Sequence, residues 1–299
     1  MEPVFLKNGI RLRWLNTAGF EIVSSESTHV LLDPFLDGRV GKLDCYPFPL
    51  ERIQGCDYLL LSHVHFDHAA NVEDIQAKFP KLNLLCPELS ADALCRAQHV
   101  NCARLYRVRS GEVYEFDDLT VQCFAGRHTE SPRGYYRDGK DFVRPDGSPD
   151  DCMWFGNLEL VNYLLTFRDG TRILVWAGMT SPDQKHRFRN LRPNIALMHV
   201  SPKQDFREFA ALTAAMGAQI IIPHHYDITE KLFEAVPDML KDSSEENRRR
   251  YVLEGKFSFP RFMRDLEAAC QELNPSATLV MPEHHKWYRF GFTWAGPEE

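Results

Sequence analysis

Histidine and aspartate side chains are concentrated in the segment 61–71, which reads Leu-Ser-His-Val-His-Phe-Asp-His-Ala-Ala-Asn. Its donors for divalent metals are His63, His65, Asp67 and His68. Alternate residues of an extended segment point to the same side, so His63 and His65 can reach one ion, while a turn through Asp67 and His68 can present a second. The spacing therefore predicts a metal centre, with a histidine-rich surface loop as the alternative.

The residues before this segment predict the strands that position it. Residues 58–61 form a short, continuously apolar run of the kind buried on both faces of a sheet. Upstream, residues 10–15 alternate apolar and polar side chains, and 20–23 and 30–32 continue the pattern. The metal-binding segment is therefore expected at the end of a buried strand that follows a β-meander.

Further along the chain, predicted strands alternate with predicted helices, which places the protein in the α/β class. Helices are predicted over 71–79, with Asn71 as the N-cap, and over 90–99, 206–216 and 262–273. Strands are predicted over 82–87, 158–167, 172–176, 195–200, 219–222, 277–281 and 287–290, and two more within 112–125 on either side of Asp117 and Asp118. The absence of a repeat or an evident linker predicts one domain over residues 1–299.

The segment 61–71 matches the HxHxDH signature of the metallo-β-lactamase superfamily. The preceding region, with Leu-Asp-Pro-Phe at 32–35, resembles the N-terminal meander of the branch that contains the ascorbate-6-phosphate lactonases and related Lactamase_B_2 proteins. The resemblance extends to about His225. It implies a four-layer αββα sandwich, with the metals at one edge of the two sheets, and metal-dependent hydrolysis.

The resemblance also implies ligands at the ends of later strands. A third histidine for the first metal is expected at His128, and three imidazoles plus water would form an open catalytic site. The final ligand is expected in a Pro-x-His pattern, which places His225 with Asp67 and His68 at the second metal. His224 is the alternative ligand or a supporting neighbour, because a one-residue slip turns a side chain to the opposite face.

One position departs from the family pattern. Relatives usually carry an aspartate that bridges both ions in a Gly-Asp-Thr segment, whereas this chain has Met179 there. A thioether is soft and neutral, so Met179 cannot replace a hard bridging carboxylate. We expect one ion, or a second ion held more weakly, with the site of His63, His65 and His128 filled first. His199 is a candidate to compensate; a hydrogen-bonded structural histidine is the alternative.

A long insertion at 131–157 follows His128 and predicts a lid over the site. Arginine and tyrosine side chains suit an anionic substrate, but interspersed aspartates leave a plain solvated loop as the alternative. The candidate substrate-binding residues in and beside the insertion are Arg127, Arg133, Tyr135 and Arg137.

The expected chemistry is attack by a metal-bound hydroxide on an ester, lactone, amide or phosphodiester bond of a small substrate. Zinc is the favoured metal, with manganese or iron as alternatives. Asp67 and His225 are the predicted catalytic residues, and Asp67 would hold the second metal or orient and deprotonate the water. Metal-dependent redox or non-hydrolytic chemistry (cyclisation or rearrangement) on the same fold, or a degenerate binding protein, stay open.

Composition limits the other function classes. A formal net charge of -7 argues against a nucleic-acid partner, because phosphate binding needs a basic surface. The first residues lack a basic region followed by an apolar stretch, and no apolar run is long enough to span a bilayer. We therefore expect a cytoplasmic protein with a small-molecule substrate, no membrane partner and reduced cysteines.

Overall fold

Two β-sheets form the centre of the fold, and helices cover their outer faces. The computed structural model describes residues 9–40, 43–128, 159–202, 204–227 and 245–291. In chain order its strands are β1 (Ile10–Asn16), β2 (Gly19–Val23), β3 (His29–Leu32), β4 (Arg39–Val40), β5 (Leu43–Asp44), β6 (Tyr58–Leu60), β7 (Asn83–Pro87), β8 (Leu105–Val108), β9 (Val113–Glu115), β10 (Leu119–Ala125), β11 (Val161–Phe167), β12 (Arg172–Trp176), β13 (Ile195–His199), β14 (Ile220–His224), β15 (Val252–Leu253), β16 (Lys256–Phe257), β17 (Thr278–Leu279) and β18 (Trp287–Phe290). Its helices are α1 (Phe66–Ala69), α2 (Val72–Lys78), α3 (Glu88–Ala97), α4 (Gln184–Arg187), α5 (Phe206–Met216), α6 (Glu245–Tyr251) and α7 (Phe259–Leu273), with short 3-10 turns at Leu50–Arg52 and Cys102–Arg104.

Strand order brings the candidate site residues to one edge. The first sheet has the order β18-β1-β2-β3-β6-β7-β8, and the second sheet β17-β14-β13-β12-β11-β10-β9. Strands β3 and β6 to β8 run parallel, as do β12 to β14 and β17. Loops at the carboxyl ends of parallel strands are where open α/β sheets bind ligands. The segment 61–71 follows β6, His199 ends β13, and His225 follows β14.

The two sheets face each other across the main apolar core. Trp14 and Phe20 from the first sheet pack in one cluster with Tyr163 and Trp176 from the second, and none of the four is more than 1% exposed. Full burial of a large apolar side chain contributes roughly 1.5–3 kcal/mol. This core fixes the separation of the two sheets and therefore of the loops at their shared edge.

Helices close both outer faces. Val72 of α2 and Leu94 of α3 pack in a second cluster with Leu59 of β6. On the other side, the rings of Phe206 in α5 and Phe262 in α7 lie 4.9 Å apart, centroid to centroid. The layers therefore run helix, sheet, sheet, helix, and the predicted four-layer αββα sandwich is confirmed.

The last two strands join different sheets. β17 pairs with β14 of the second sheet, and β18 pairs with β1 of the first. His284, which lies between these two strands in sequence, forms a β-bridge with Trp14 of β1. The two rings stack with centroids 3.9 Å apart. Nε2 of His284 also lies 3.0 Å from Oδ2 of Asp227. The segment 279–287 therefore connects the edges of both sheets close to the loop that carries His225.

Some predicted features differ from the structure. Asn71 does precede α2, but its side chain makes no cap hydrogen bond; instead its Oδ1 accepts from the backbone N–H of Leu36 at 2.7 Å. Asn71 is therefore the N-cap residue of α2 as predicted, but a long-range contact takes the oxygen that would cap the helix. Strand β8 was not predicted. The insertion at 131–157 lies outside the described residues, and no helix within the described ranges is long and apolar enough to cross a bilayer.

Candidate metal centre

The first group of donor atoms consists of three imidazoles, from His63, His65 and His128, which lie within 4.8 Å of one another. His63 and His65 are contributed by the segment between β6 and α1, and His128 follows the end of β10. Nε2 of His63 lies 3.2 Å from Nδ1 of His65. The His128 ring is 5.0 Å from that of His63 and 4.5 Å from that of His65, centroid to centroid. We call these three residues the first cluster.

The second cluster consists of Asp67, His68 and His225, whose donor atoms also lie within 4.8 Å of one another. Asp67 and His68 stand in α1, a single turn that begins at Phe66. Nε2 of His225 lies 3.3 Å from Nε2 of His68 and 3.3 Å from Oδ2 of Asp67. The backbone of His225 has a positive φ of 69°, and its N–H donates to the carbonyl of Thr17. This turn aims the ring of His225 at α1.

A buried carboxylate behind the clusters fixes their histidines. Asp33 accepts hydrogen bonds from the backbone N–H and the hydroxyl of Ser62, both at 2.6 Å. Its Oδ2 lies 3.0 Å from Nδ1 of His68, and the Ser62 hydroxyl lies 2.9 Å from Nδ1 of His63. In both His63 and His68, Nδ1 therefore contacts Asp33 or Ser62, and Nε2 is the nitrogen left to bind a metal. Contacts of this kind behind a metal site orient its ligands.

The spacing of the sequence does not reveal Asp33. It lies well before the histidine segment, and the two meet only because β3 and β6 are parallel neighbours. The available signal is an acidic residue placed directly after a buried strand, where α/β proteins bind their ligands. Asp33 is only 1% exposed, and a buried carboxylate is costly unless it has hydrogen-bond or charged partners. Ser62 and His68 of the histidine segment are those partners.

Burial and neighbouring charges set the protonation of the clusters. Burial lowers the pKa of His63 well below its usual range and that of His65 to about 3, so both are neutral, the form that binds metals. Burial alone would raise the pKa of Asp67, but His68 and His225 outweigh it and hold that pKa below its ordinary value. Conversely, Asp67 outweighs burial and raises the pKa of His225.

His224 and His225 have different surroundings. The ring of His224 lies edge-on to Phe20 in the space between the sheets, with centroids 5.4 Å apart. Its neighbour in register is His199, whose ring lies 4.8 Å from that of His225. The structure therefore brings His225 into the second cluster, leaves His224 in the core, and places His199 beside the cluster.

Met179 lies next to the loop that carries His128. Its backbone N–H donates to the carbonyl of Arg127 at 2.7 Å, and a Cβ on Gly178 would stand 2.4 Å from that same oxygen. Only glycine permits this close approach. Met179, where the family resemblance implies a bridging carboxylate, is thus held beside the loop that carries His128 and has a thioether instead. Arg127 is exposed, whereas Arg133, Tyr135 and Arg137 lie outside the described residues.

A family profile described as "Beta-lactamase superfamily domain" matches residues 28–226 of the chain. The chain belongs to this superfamily. The match confirms the resemblance seen in the HxHxDH segment. It includes every residue of the two clusters, together with Asp33, Met179 and His199.

Relatives in the superfamily share about a quarter of their residues with the chain. A UPF0173 metal-dependent hydrolase from Koribacter versatilis is 26% identical over 222 residues, which cover 73% of this chain and 84% of the relative. A second UPF0173 metal-dependent hydrolase, from Thermoplasma volcanium, is 25% identical over 231 residues, covering 72% of this chain and 96% of the relative.

Two solved structures share the fold at low identity. Igni18, a metallo hydrolase from Ignicoccus hospitalis, aligns with a TM-score of 0.60 at 14% identity over 95% of this chain and 99% of its own. CmlA, a diiron beta-hydroxylase from Streptomyces venezuelae, aligns with a TM-score of 0.59 at 13% identity over 95% of this chain and 54% of its own. At this identity the likeness concerns the fold, which carries different chemistries.

Proposed function

We propose that the chain is a metal-dependent hydrolase that binds divalent metal at the first cluster and, more weakly, at the second. The observation that carries the proposal is the convergence of two groups of donor atoms, each within 4.8 Å, from loops far apart in sequence. The donors fit the metal: His63 and His65 turn ring nitrogens toward each other at 3.2 Å, and both imidazoles are neutral. The relatives from K. versatilis and T. volcanium, both named metal-dependent hydrolases, support this assignment.

Zinc is the metal that the donor set favours. The first cluster offers three imidazole nitrogens, and the second offers two with one carboxylate. Imidazole suits zinc, whereas magnesium and manganese prefer oxygen donors. Three protein ligands with an open fourth position are typical of catalytic zinc sites. We therefore assign catalysis to the cluster of His63, His65 and His128.

A divalent ion bound there lowers the pKa of water toward neutrality and polarises a carbonyl or phosphoryl oxygen. The protein's own residues prepare that reaction. Asp67, ionised because His68 and His225 hold its pKa low, would hold the second ion or, where that ion is absent, orient a water and accept its proton. Asp33 holds His68 directly and His63 through Ser62. Where the second ion is absent, His225, with its raised pKa, can carry a proton beside Asp67.

The proposed substrates are small molecules with an ester, lactone, amide or phosphodiester bond. All four bonds present an electrophilic centre with an oxygen that a metal can polarise. Arg127 directly precedes His128 and is exposed, so its guanidinium can attract an anionic group at the edge of the centre. Because Arg127 can attract an anionic group, we favour a lactonase-like activity on a small anionic substrate.

The test measures metal content and hydrolysis together. The purified protein is analysed for zinc, manganese and iron, and assayed with p-nitrophenyl acetate, a homoserine lactone, an amide and bis-p-nitrophenyl phosphate. We expect zinc, no colour, hydrolysis of at least one probe, and loss of that activity with a chelator. The exposed His99, whose ring is 86% accessible, provides the control variant His99→Ala, which should behave as wild type. Iron with a coloured spectrum would favour redox chemistry instead, and full activity without metal would refute the proposal.

A further inference from the structure

His199, beside the second cluster, has a buried ring nitrogen without a hydrogen-bond partner among the described residues, as does the neighbouring His224 in the core. His199 is 7% exposed, and its buried Nδ1 makes no hydrogen bond within the described part of the chain. A buried ring nitrogen without a partner is costly, and each such group requires an explanation. The ring of His199 lies 4.8 Å from that of His225, centroid to centroid, so His199 lies beside the second cluster.

Strand order explains why His199 is found there. Strands β12, β13 and β14 are adjacent and parallel, with Trp176 beside Met198 and His199 beside His224 in register. The chain reaches Met179 shortly after β12 ends and His225 directly after β14 ends. His199, at the end of β13, stands on the strand between these two positions. His199 therefore ends the strand next to the one that position 179 follows, at the same edge of the sheet.

We propose that His199 is a fourth protein ligand of the second ion and replaces the donor that Met179 cannot supply. The inference rests on the proposed function, because it requires a metal centre at the two clusters. Its ring lies 4.8 Å from that of His225, and its buried Nδ1 makes no hydrogen bond within the described residues. The second ion is then bound by the carboxylate of Asp67 and the imidazoles of His68, His225 and His199.

This exchange changes the character of the centre. A carboxylate can bridge two ions and offsets one positive charge, whereas a neutral imidazole offers one lone pair and binds one ion. Four protein donors make a closed site, the kind that holds a metal structurally, and three leave an open site, the kind used in catalysis. The second ion therefore becomes a closed, nitrogen-rich site that positions α1, and the open first cluster keeps the chemistry.

The test titrates Co²⁺ into the metal-free protein and follows bound metal and the visible spectrum, neither of which requires activity. The variants are His199→Ala, His199→Gln, His199→Ala with Met179→Asp, and the exposed control His99→Ala. Loss of His199 should weaken the second Co²⁺ by at least about tenfold and change the spectrum, while the first Co²⁺ binds as before. The added aspartate should restore the second ion.

His199→Gln separates a ligand from a packing residue, because glutamine preserves polarity and much of the volume. If the Gln variant folds and still loses the second ion, the ligand role stands. If His199→Ala or His199→Gln binds two Co²⁺ with unchanged affinity and spectrum, the inference is wrong, while the proposed function survives. If the wild-type protein binds no Co²⁺ at all, the inference and the proposed function both fail.

Discussion

The two clusters share one short segment of chain but differ in charge and in support. The first has three imidazoles, and two of its members, His65 and His128, are partly exposed. The second contains the carboxylate of Asp67 and is backed by a second carboxylate, Asp33, which contacts His68. An ion in the first cluster therefore keeps more of its positive charge, which favours activation of water, and an ion in the second is better neutralised. The same HxHxDH segment can thus serve two different tasks.

The largest effect is expected when the first cluster is removed. The double variant His63→Ala with His65→Ala should lose the first ion and more than about 100-fold of the hydrolysis rate, since loss even of a contact that supports a ligand typically costs 10–100-fold. Metal analysis and the probe assay measure both changes. The second ion should remain; an active double variant would show that the chemistry takes place elsewhere.

Asp67→Asn removes the charge of the second cluster while keeping the shape of the side chain. We expect hydrolysis to fall by roughly 10²–10⁴-fold, the range for loss of a general base, with the first ion retained. Equilibrium dialysis against zinc gives the stoichiometry and kcat gives the rate. Unchanged kcat with one ion lost would assign Asp67 to metal binding only and exclude it as the base.

Asp33→Asn tests the support behind the clusters. The amide cannot accept as strongly from His68 and Ser62, so we expect metal affinity of the second cluster to fall about 10–100-fold, and that of the first cluster less, because Asp33 reaches His63 only through Ser62. Competition with a chromogenic chelator measures both affinities. Equal losses at the two clusters would contradict the difference in support.

The smallest effects concern stability of the metal-free protein against pH. The folded-state pKa of His65 is depressed to about 3, so the unfolded chain binds its proton first and stability falls as pH drops below about 6.5. The pKa of His225 is raised, so its stabilising contribution is present below about 6.5 and is lost as pH rises through the folded value. The two clusters therefore contribute with opposite signs.

Urea unfolding of His65→Gln and His225→Gln between pH 5 and 8 checks these signs. His65→Gln should flatten the acid-side decline, by up to about 1.4 kcal/mol per pH unit. His225→Gln should lower stability by a constant amount below about pH 6.5, and its difference from wild type should disappear as pH rises through the folded pKa of His225. The exposed His99→Ala variant should follow the wild-type curve. If the free energy of unfolding depends on pH in the same way for all variants, the two clusters do not contribute to pH-dependent stability with opposite signs.

The spacing of the residues predicted the contiguous part of the site, the family resemblance predicted His128 and His225, which the structure brings to the two clusters, and neither predicted Asp33. Ligand types at alternating positions after an apolar run predict His63 and His65 as neighbours, and the structure brings them together. The choice between His224 and His225 depends on where β14 ends and on the positive φ of His225, and neither can be read from spacing. Asp33 joins the site only through the pairing of β3 with β6.

The fold was predicted more completely than the site for a related reason. Apolar periodicity reports which face of an element is buried, and this was sufficient for the hairpin of β11 and β12 and for α5, which ends at Gly217 in the left-handed conformation. Periodicity does not report which distant polar group captures a side chain. Asn71 shows this, because its oxygen binds the N–H of Leu36 and leaves the start of α2 uncapped.

The separate destinations of β17 and β18 make the two halves of the molecule interdependent. A single cut between residues 279 and 284 leaves β18 and His284 attached to the first sheet only through noncovalent contacts, the pairing of β18 with β1 and the stacking of His284 on Trp14. The contact between His284 and Asp227 then ties the turn of His225 only to a fragment that is no longer covalently joined to β17. Proteolysis at this one point should therefore loosen the second cluster before either sheet unfolds, and bound metal should protect the segment from the protease.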